Sequence, residues 1–158
     1  MINLKKYITE SILDVEDNID NVDESIKDQI KQFLKNNFKN ASKFKISTKP
    51  NTNGKYEVSS NGDVVIKNKH ITSLTNGSFI WTNIKGDFIC HNCDSLTSLK
   101  GAPKVVGGLF NCEYCNSLTS LEGAPEKVCG HFSCSECGVA FTTNDVKKVS
   151  KVGGGIYV

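Results

Sequence analysis

The residues best suited to chemistry in this chain are three C-x-x-C pairs: Cys90/Cys93, Cys112/Cys115 and Cys134/Cys137. Stretches 94–111 and 116–133 separate them, each 18 residues long. Paired thiols at that spacing match the ligands of a zinc ribbon, because two cysteines three residues apart can grip one tetrahedral ion from a tight turn. The competing reading places the same thiols inside a repeat. They fall in register with columns of phenylalanine and leucine, and a buried free cysteine behaves as a small hydrophobe. The register favours a buried cysteine ladder, with zinc as the alternative and disulfides a third possibility. Cys129 stands where the preceding repeat has Gly107, so it reads as a structural singleton.

No other constellation points to a reaction. His70, His91 and His131 are scattered, and none neighbours a serine or cysteine in a nucleophile motif. His91 could join Cys90 and Cys93 as a ligand, but its outward parity on a strand favours solvent. Gly153–Gly155 follows a helical pattern and so reads as a helix stop, not as a phosphate cradle at a helix N-terminus. The expectation is a non-enzymatic protein without a cofactor.

The elements that must position these residues come from a repeat. Gly86-Asp87-Phe88-Ile89-Cys90 returns as Gly108-Leu109-Phe110-Asn111-Cys112 and again as Gly130-His131-Phe132-Ser133-Cys134, at a period of 22 residues. A fixed period between 20 and 29 is the mark of a leucine-rich-repeat solenoid. The aligned columns are Ile84/Val106/Val128, Gly86/Gly108/Gly130, Phe88/Phe110/Phe132, the two cysteine columns, Leu96/Leu118 and Leu99/Leu121. Each should point inward, since one coil cannot bury its apolar face alone. Ile71-Thr72-Ser73-Leu74 marks an earlier, longer coil with about three extra residues before Ile84.

Both ends need caps. Ile26, Ile30, Phe33, Leu34 and Phe38 form a helical stripe over 24–38. Residues 43–67 then switch to two-residue alternation, and Asn61-Gly62 between alternating runs is a hairpin signal. Three antiparallel strands are expected there, covering the open edge of the solenoid. At the other end Thr142 or Thr143 should cap a helix over 144–151, with Val146, Val149 and Val152 inward. Ile156-Tyr157-Val158 should return as a strand beside Phe132–Cys134. The predicted organisation is α+β: an N-terminal helical segment with an acidic linker (1–42), an antiparallel β cap (43–67), a solenoid of about three coils (68–140) and a helix–strand cap (141–158).

Composition narrows the partners. The chain has 158 residues, a formal net charge of +2, 38% hydrophobic and 23% charged residues. All 19 basic residues are lysine. Bidentate reading of guanine or phosphate uses arginine, so sequence-specific nucleic-acid recognition is not expected. No apolar run is long enough to span a membrane, and the first residues lack a signal-peptide core. An odd count of seven cysteines without such a leader points to a reducing compartment.

At C-x-S-L-T-S-L, present as Cys93–Leu99 and Cys115–Leu121, the chain resembles BspA-type leucine-rich repeats, whose C-x-x-L-x-x-I is followed by a proline and a valine. The same order stands here as Cys115, Leu118, Leu121, Pro125 and Val128. Gly-Ala replaces the β-branched residue before that proline, which moves the expected main strand to Gly-x-Phe-x-Cys. The full chain also looks like a group of leucine-rich-repeat-like proteins from tailed phages of gut bacteria. The resemblance implies a protein-binding scaffold of the host cytoplasm or virion, with no catalytic residues.

Any binding surface should use the outward positions of the stacked strands: Asp87, Ile89 and His91, then Leu109, Asn111 and Glu113, then His131, Ser133 and Ser135. Tyr114 and Trp81 are the aromatic candidates beside them. Residues 1–10 read as a small amphipathic helix ahead of an acidic linker. Ile8-Thr9-Glu10 resembles the I-x-E sites cut by prohead proteases of T4-like phages, which suggests a capsid-targeting segment removed after Glu10.

Overall fold

Four coils of chain and a closing half-coil stack side by side in the computed structural model, which describes residues 23–158. Each coil gives one short strand to each of two sheets. The first sheet runs β1 (Lys45–Ile46), β2 (Tyr56–Ser60), β4 (Phe79–Ile84), β6 (Val105–Val106), β8 (Lys127–Val128) and β10 (Lys151–Val152). The second runs β3 (Val64–Val65), β5 (Phe88–Ile89), β7 (Phe110–Asn111), β9 (Phe132–Ser133) and β11 (Ile156–Tyr157). Successive coils pair in parallel with a constant register, Phe88 opposite Phe110 and Phe110 opposite Phe132. The repeat solenoid expected from the 22-residue period is therefore present. A strand forms after the Gly-Ala-Pro turn as well as at Gly-x-Phe-x-Cys, and in the regular coils the two are equally short.

The register stacks like upon like. Phe88 and Phe110 lie 5.7 Å apart with rings nearly parallel at 10°, and Phe132 follows at 5.0 Å. Ile84, Val106 and Val128, the leucines of both columns and Cys90, Cys93, Cys112 and Cys115 are buried with them. Burying one phenylalanine contributes roughly 1.5–3 kcal/mol. Between the sheets the chain turns on glycine because adjacent coils nearly touch. A Cβ on Gly107 would lie 2.3 Å from the Lys85 carbonyl oxygen, a distance that no side chain tolerates. At the same corner Asp63 accepts the Asp87 amide at 2.9 Å, and Asp87 accepts the Leu109 amide at 2.7 Å.

The N-terminal end is closed by helix α1 over residues 23–37 and by β1. Ile30, Leu34 and Phe38 are buried from the expected stripe. Phe38 meets Trp81 edge-on at 5.2 Å, and Trp81 meets Phe79 at 5.4 Å and Phe88 at 5.9 Å. The cap is thus packed into the phenylalanine column. Trp81 itself is only 3% exposed and donates its indole N–H to the Leu74 carbonyl at 2.9 Å. It is a core residue and not an aromatic anchor of an outer face.

Two expectations for residues 43–67 are corrected. Only β1 pairs antiparallel with β2. After Asn61-Gly62 the chain does not fold back into a hairpin. Ser60 accepts the Gly62 amide and donates to its carbonyl, bending the chain through a corner. Val64 and Ile66 then donate their amides to the Asp87 and Ile89 carbonyls of the next coil. Two-residue alternation fits a corner between sheets as well as a hairpin, and coil-to-coil bonding decides for the corner. The stack consequently starts at Tyr56, so this stretch supplies the first coil as well as a cap.

At the far end α2 spans Thr143–Val149 with a reciprocal capping box between Thr142 and Asp145. The helix ends before 151 because Lys151 and Val152 pair with Lys127 and Val128. Val146 is buried as expected, whereas Val149 is 37% exposed and Val152 is half-buried in a strand. Gly153 and Gly154 form the next sheet corner, donating to the Val128 and Gly130 carbonyls, instead of stopping a helix. Ile156 and Tyr157 pair with Phe132 and Ser133, as expected. The helix expected over residues 1–10, the acidic stretch up to residue 22 and the cleavage site after Glu10 lie outside the described residues.

Phe110→Ala removes the middle ring of the column and is expected to cost ~3–5 kcal/mol, read from urea unfolding. A loss below about 1 kcal/mol would show that the column does not hold the coils together.

Candidate functional site

The second sheet's outward positions are set by the pleat: in each coil the phenylalanine points inward and its neighbours outward. Around the last two coils these neighbours form one shallow depression of about 730 Å³, lined by Leu109, Asn111, Glu113, His131, Ser133, Ser135, Ile156, Tyr157 and Val158. Six of the sequence-predicted residues, Leu109, Asn111, Glu113, His131, Ser133 and Ser135, thus meet there. Asp87, Ile89 and His91 lie one coil back, outside the depression. Asp87 is committed to the sheet corner. His91 is half-buried, and its carbonyl accepts Lys69 Nζ at 2.7 Å. Burial, then the Lys69 charge, lowers the His91 pKa, so its ring is neutral near pH 7. Tyr114 is 51% exposed on a turn with φ of 54°, beside the depression but not lining it.

Glu113 is the centre of the site. Ser133 Oγ donates to its Oε1, Ser135 Oγ reaches the same oxygen at 3.2 Å, and Asn111 Nδ2 donates to Oε2 at 3.1 Å. Asn111 Oδ1 in turn accepts the Glu113 amide at 3.0 Å, which fixes the turn. The Ser133 bond, with help from Asn111 and Ser135, outweighs burial and holds the Glu113 pKa below its ordinary value. A carboxylate held in its ionised form is a poor general acid or base at neutral pH. It is a good fixed acceptor for a positively charged or N–H-rich group. Ser133 is only 4% exposed, so it supports Glu113 from below.

The wall opposite is aromatic. His131 Nδ1 accepts the Gly155 amide at 2.7 Å, which places the neutral ring's proton on Nε2. Tyr157 meets His131 edge-on at 5.5 Å and is 54% exposed. Tyr157, Ile156 and Val158 were not among the sequence candidates. The signal was available: once 156–158 pairs beside 132–134, alternation puts Tyr157 on the same face as His131 and Ser133.

The cysteines face the other way, into the stack. Cys90 Sγ donates to the Asn111 carbonyl at 3.2 Å and Cys112 Sγ to that of Ser133 at 3.4 Å, each one coil onward. Cys115 Sγ reaches back to the Cys90 carbonyl at 3.1 Å and Cys137 Sγ to that of Cys112 at 3.2 Å. Burial pushes the Cys112 thiol up; at Cys115 the hydrogen bond with Cys93, then burial, does the same. All seven cysteines are free, and among the described residues no group of three or more His, Cys, Asp or Glu side chains is placed to hold a metal ion. Cys129, read as structural, is exposed at a sheet corner.

Compared with known proteins, the chain matches no family model, no curated protein and no solved structure. No helix among the described residues is long and apolar enough to cross a membrane.

Two outcomes follow for this site. Ser133→Ala should raise the Glu113 pKa towards the ordinary glutamate value, measured by carboxyl carbon NMR during a pH titration. Because the folded pKa lies below the unfolded one, Glu113 stabilises the fold above the ordinary carboxylate range, and that contribution fades as pH falls through the lowered value. The variant should show less acid-dependent loss. Dialysis against a chelator should leave the melting temperature unchanged within about 2 °C; for a chain of this size a fall of roughly 10 °C would mean several kcal/mol of metal-linked stability and replace the thiol ladder with a zinc site.

Proposed function

We propose that this is a non-enzymatic interaction protein that binds a protein partner on the outward face of the second sheet, centred on Glu113. The observation that carries the reading is the pre-organised Glu113 carboxylate, held by Ser133, Ser135 and Asn111 in an open depression beside exposed Tyr157. Fixed acceptors next to exposed aromatic rings are the usual anchors of a small interface. Lys or Arg side chains of the partner suit both, pairing with the carboxylate and lying over the tyrosine ring. A tailed-phage setting, with the protein in the host cytoplasm or the virion, rests on the sequence resemblance.

The test uses the full chain as bait in lysates of phage-infected cells, beside Glu113→Lys and Tyr157→Ala. Each substitution should weaken capture of the same partner by about tenfold or more, the range of an interface anchor. Equal capture by all three baits would refute this face as the binding surface. Mass spectrometry of purified virions should find the chain if it is carried in the particle.

A further inference from the structure

The thiol ladder is sealed everywhere but at its last rung. Cys90, Cys93, Cys112 and Cys115 are fully buried, and each thiol donates to a carbonyl. Cys134 and Cys137 belong to the last regular coil. The Cys134 amide donates to the Tyr157 carbonyl, but its thiol, unlike those of Cys90 and Cys112, donates to no carbonyl among the described residues. Cys137 is half-buried. Both line a cavity of about 300 Å³ together with Glu136, Phe141 and Val158. The same turn joins every pair: Asn92, Tyr114 and Glu136 have φ of 56°, 54° and 53°. The terminal pair therefore shares the conformation of the inner pairs; Cys134 is buried like them, at 1% exposed, and Cys137 is the one that differs in access.

We propose that Cys134 and Cys137 form a thiol–disulfide exchange site open to small-molecule disulfides, with Cys137 attacking and Cys134 resolving. The Cys137 thiolate attacks one sulfur of a disulfide RS–SR, forming a mixed disulfide and expelling one RS⁻. Cys134 then loses its proton to solvent and attacks the Cys137 sulfur. A Cys134–Cys137 disulfide forms and the second RS⁻ leaves. The protein gives up two electrons and two protons, and the small disulfide is reduced to two thiols. Access favours Cys137 as the attacking group. Its pKa is also lowered, chiefly by the hydrogen bond with Cys112, while that of Cys112 is raised by burial. Reactive cysteines are the accessible ones with thiolate character; the inner pairs are buried, and the thiols of Cys112 and Cys115 are raised.

The experiment uses the full chain carrying Cys129→Ser, which removes the exposed thiol at the corner. The folded protein is incubated with oxidised glutathione, quenched in acid and mapped by mass spectrometry. The expected product is a Cys134–Cys137 disulfide, with Cys137 modified at least about tenfold faster than Cys112 or Cys115. Adding Cys134→Ser should trap one glutathionyl group on Cys137, and adding Cys137→Ser should abolish the adduct. The proposal is overturned if the parent protein keeps a stable mixed disulfide, stays unmodified, or reacts at inner cysteines at comparable rates. Because the parent retains both thiols in question, the test stands even if a further variant fails to fold.

Discussion

Everything in this molecule depends on one coil bonding to the next in a fixed register. A two-residue strand has no stability of its own, and each of the regular coils carries two of them. Their hydrogen bonds, the phenylalanine column and the thiol-to-carbonyl bonds of Cys90, Cys112, Cys115 and Cys137 run between coils. The glycine corners let neighbouring backbones come close enough for these bonds to form, and the aspartates of the early corners bind the amides that the bend leaves over. Stability is thus a sum over neighbours, and it requires that both ends be finished by something that is not a coil. Helix α1 with its aromatic cluster finishes one end, and α2 with β10 and β11 finishes the other.

The repeat made most of this legible. A 22-residue period with aligned columns was enough to place Phe110, Leu118 and Cys112 in one core, because a residue recurring at one phase of a solenoid has one environment. What the sequence hid lies where the repeat is broken. Residues 56–66 contain the strands of a coil but lack its Phe-x-Cys signature, since Val64 and Ile66 stand in for Phe88 and Cys90. Alternation there reads equally as a hairpin. Trp81 reads from the sequence as an aromatic candidate beside the outward face; it is instead a buried residue that joins the N-terminal cap to the column. Val152 fits a helical stripe by spacing, but an available sheet edge outweighs the marginal stability of one more helical turn.

The candidate site shows the same division. Glu113, Asn111 and Ser133 could be placed on an outward face by parity alone. That Ser133 would sink beneath the carboxylate, and that Tyr157 would complete the wall, depends on the chain returning as β11. The lining of the depression comes from three separate segments of the chain, Leu109 and Val158 being its limits. The inner thiols and the outer carboxylate occupy adjacent positions of the same turn, so the segment 111–115 serves core and surface at once.

The two ends of the stack also differ in polarity. A parallel, in-register ladder is in principle a template that another copy could extend without limit. Here β1 runs antiparallel against β2, and the chain around Phe38 makes an antiparallel bridge to Ile66, so the first edge of neither sheet is offered in the direction that a following copy would need. Only the β10/β11 edge keeps the parallel sense. Among the described residues, a second copy laid on the β10/β11 edge would therefore find no parallel edge at the first end to pair with. The reversed strand beside the cap helix makes the solenoid a finite object.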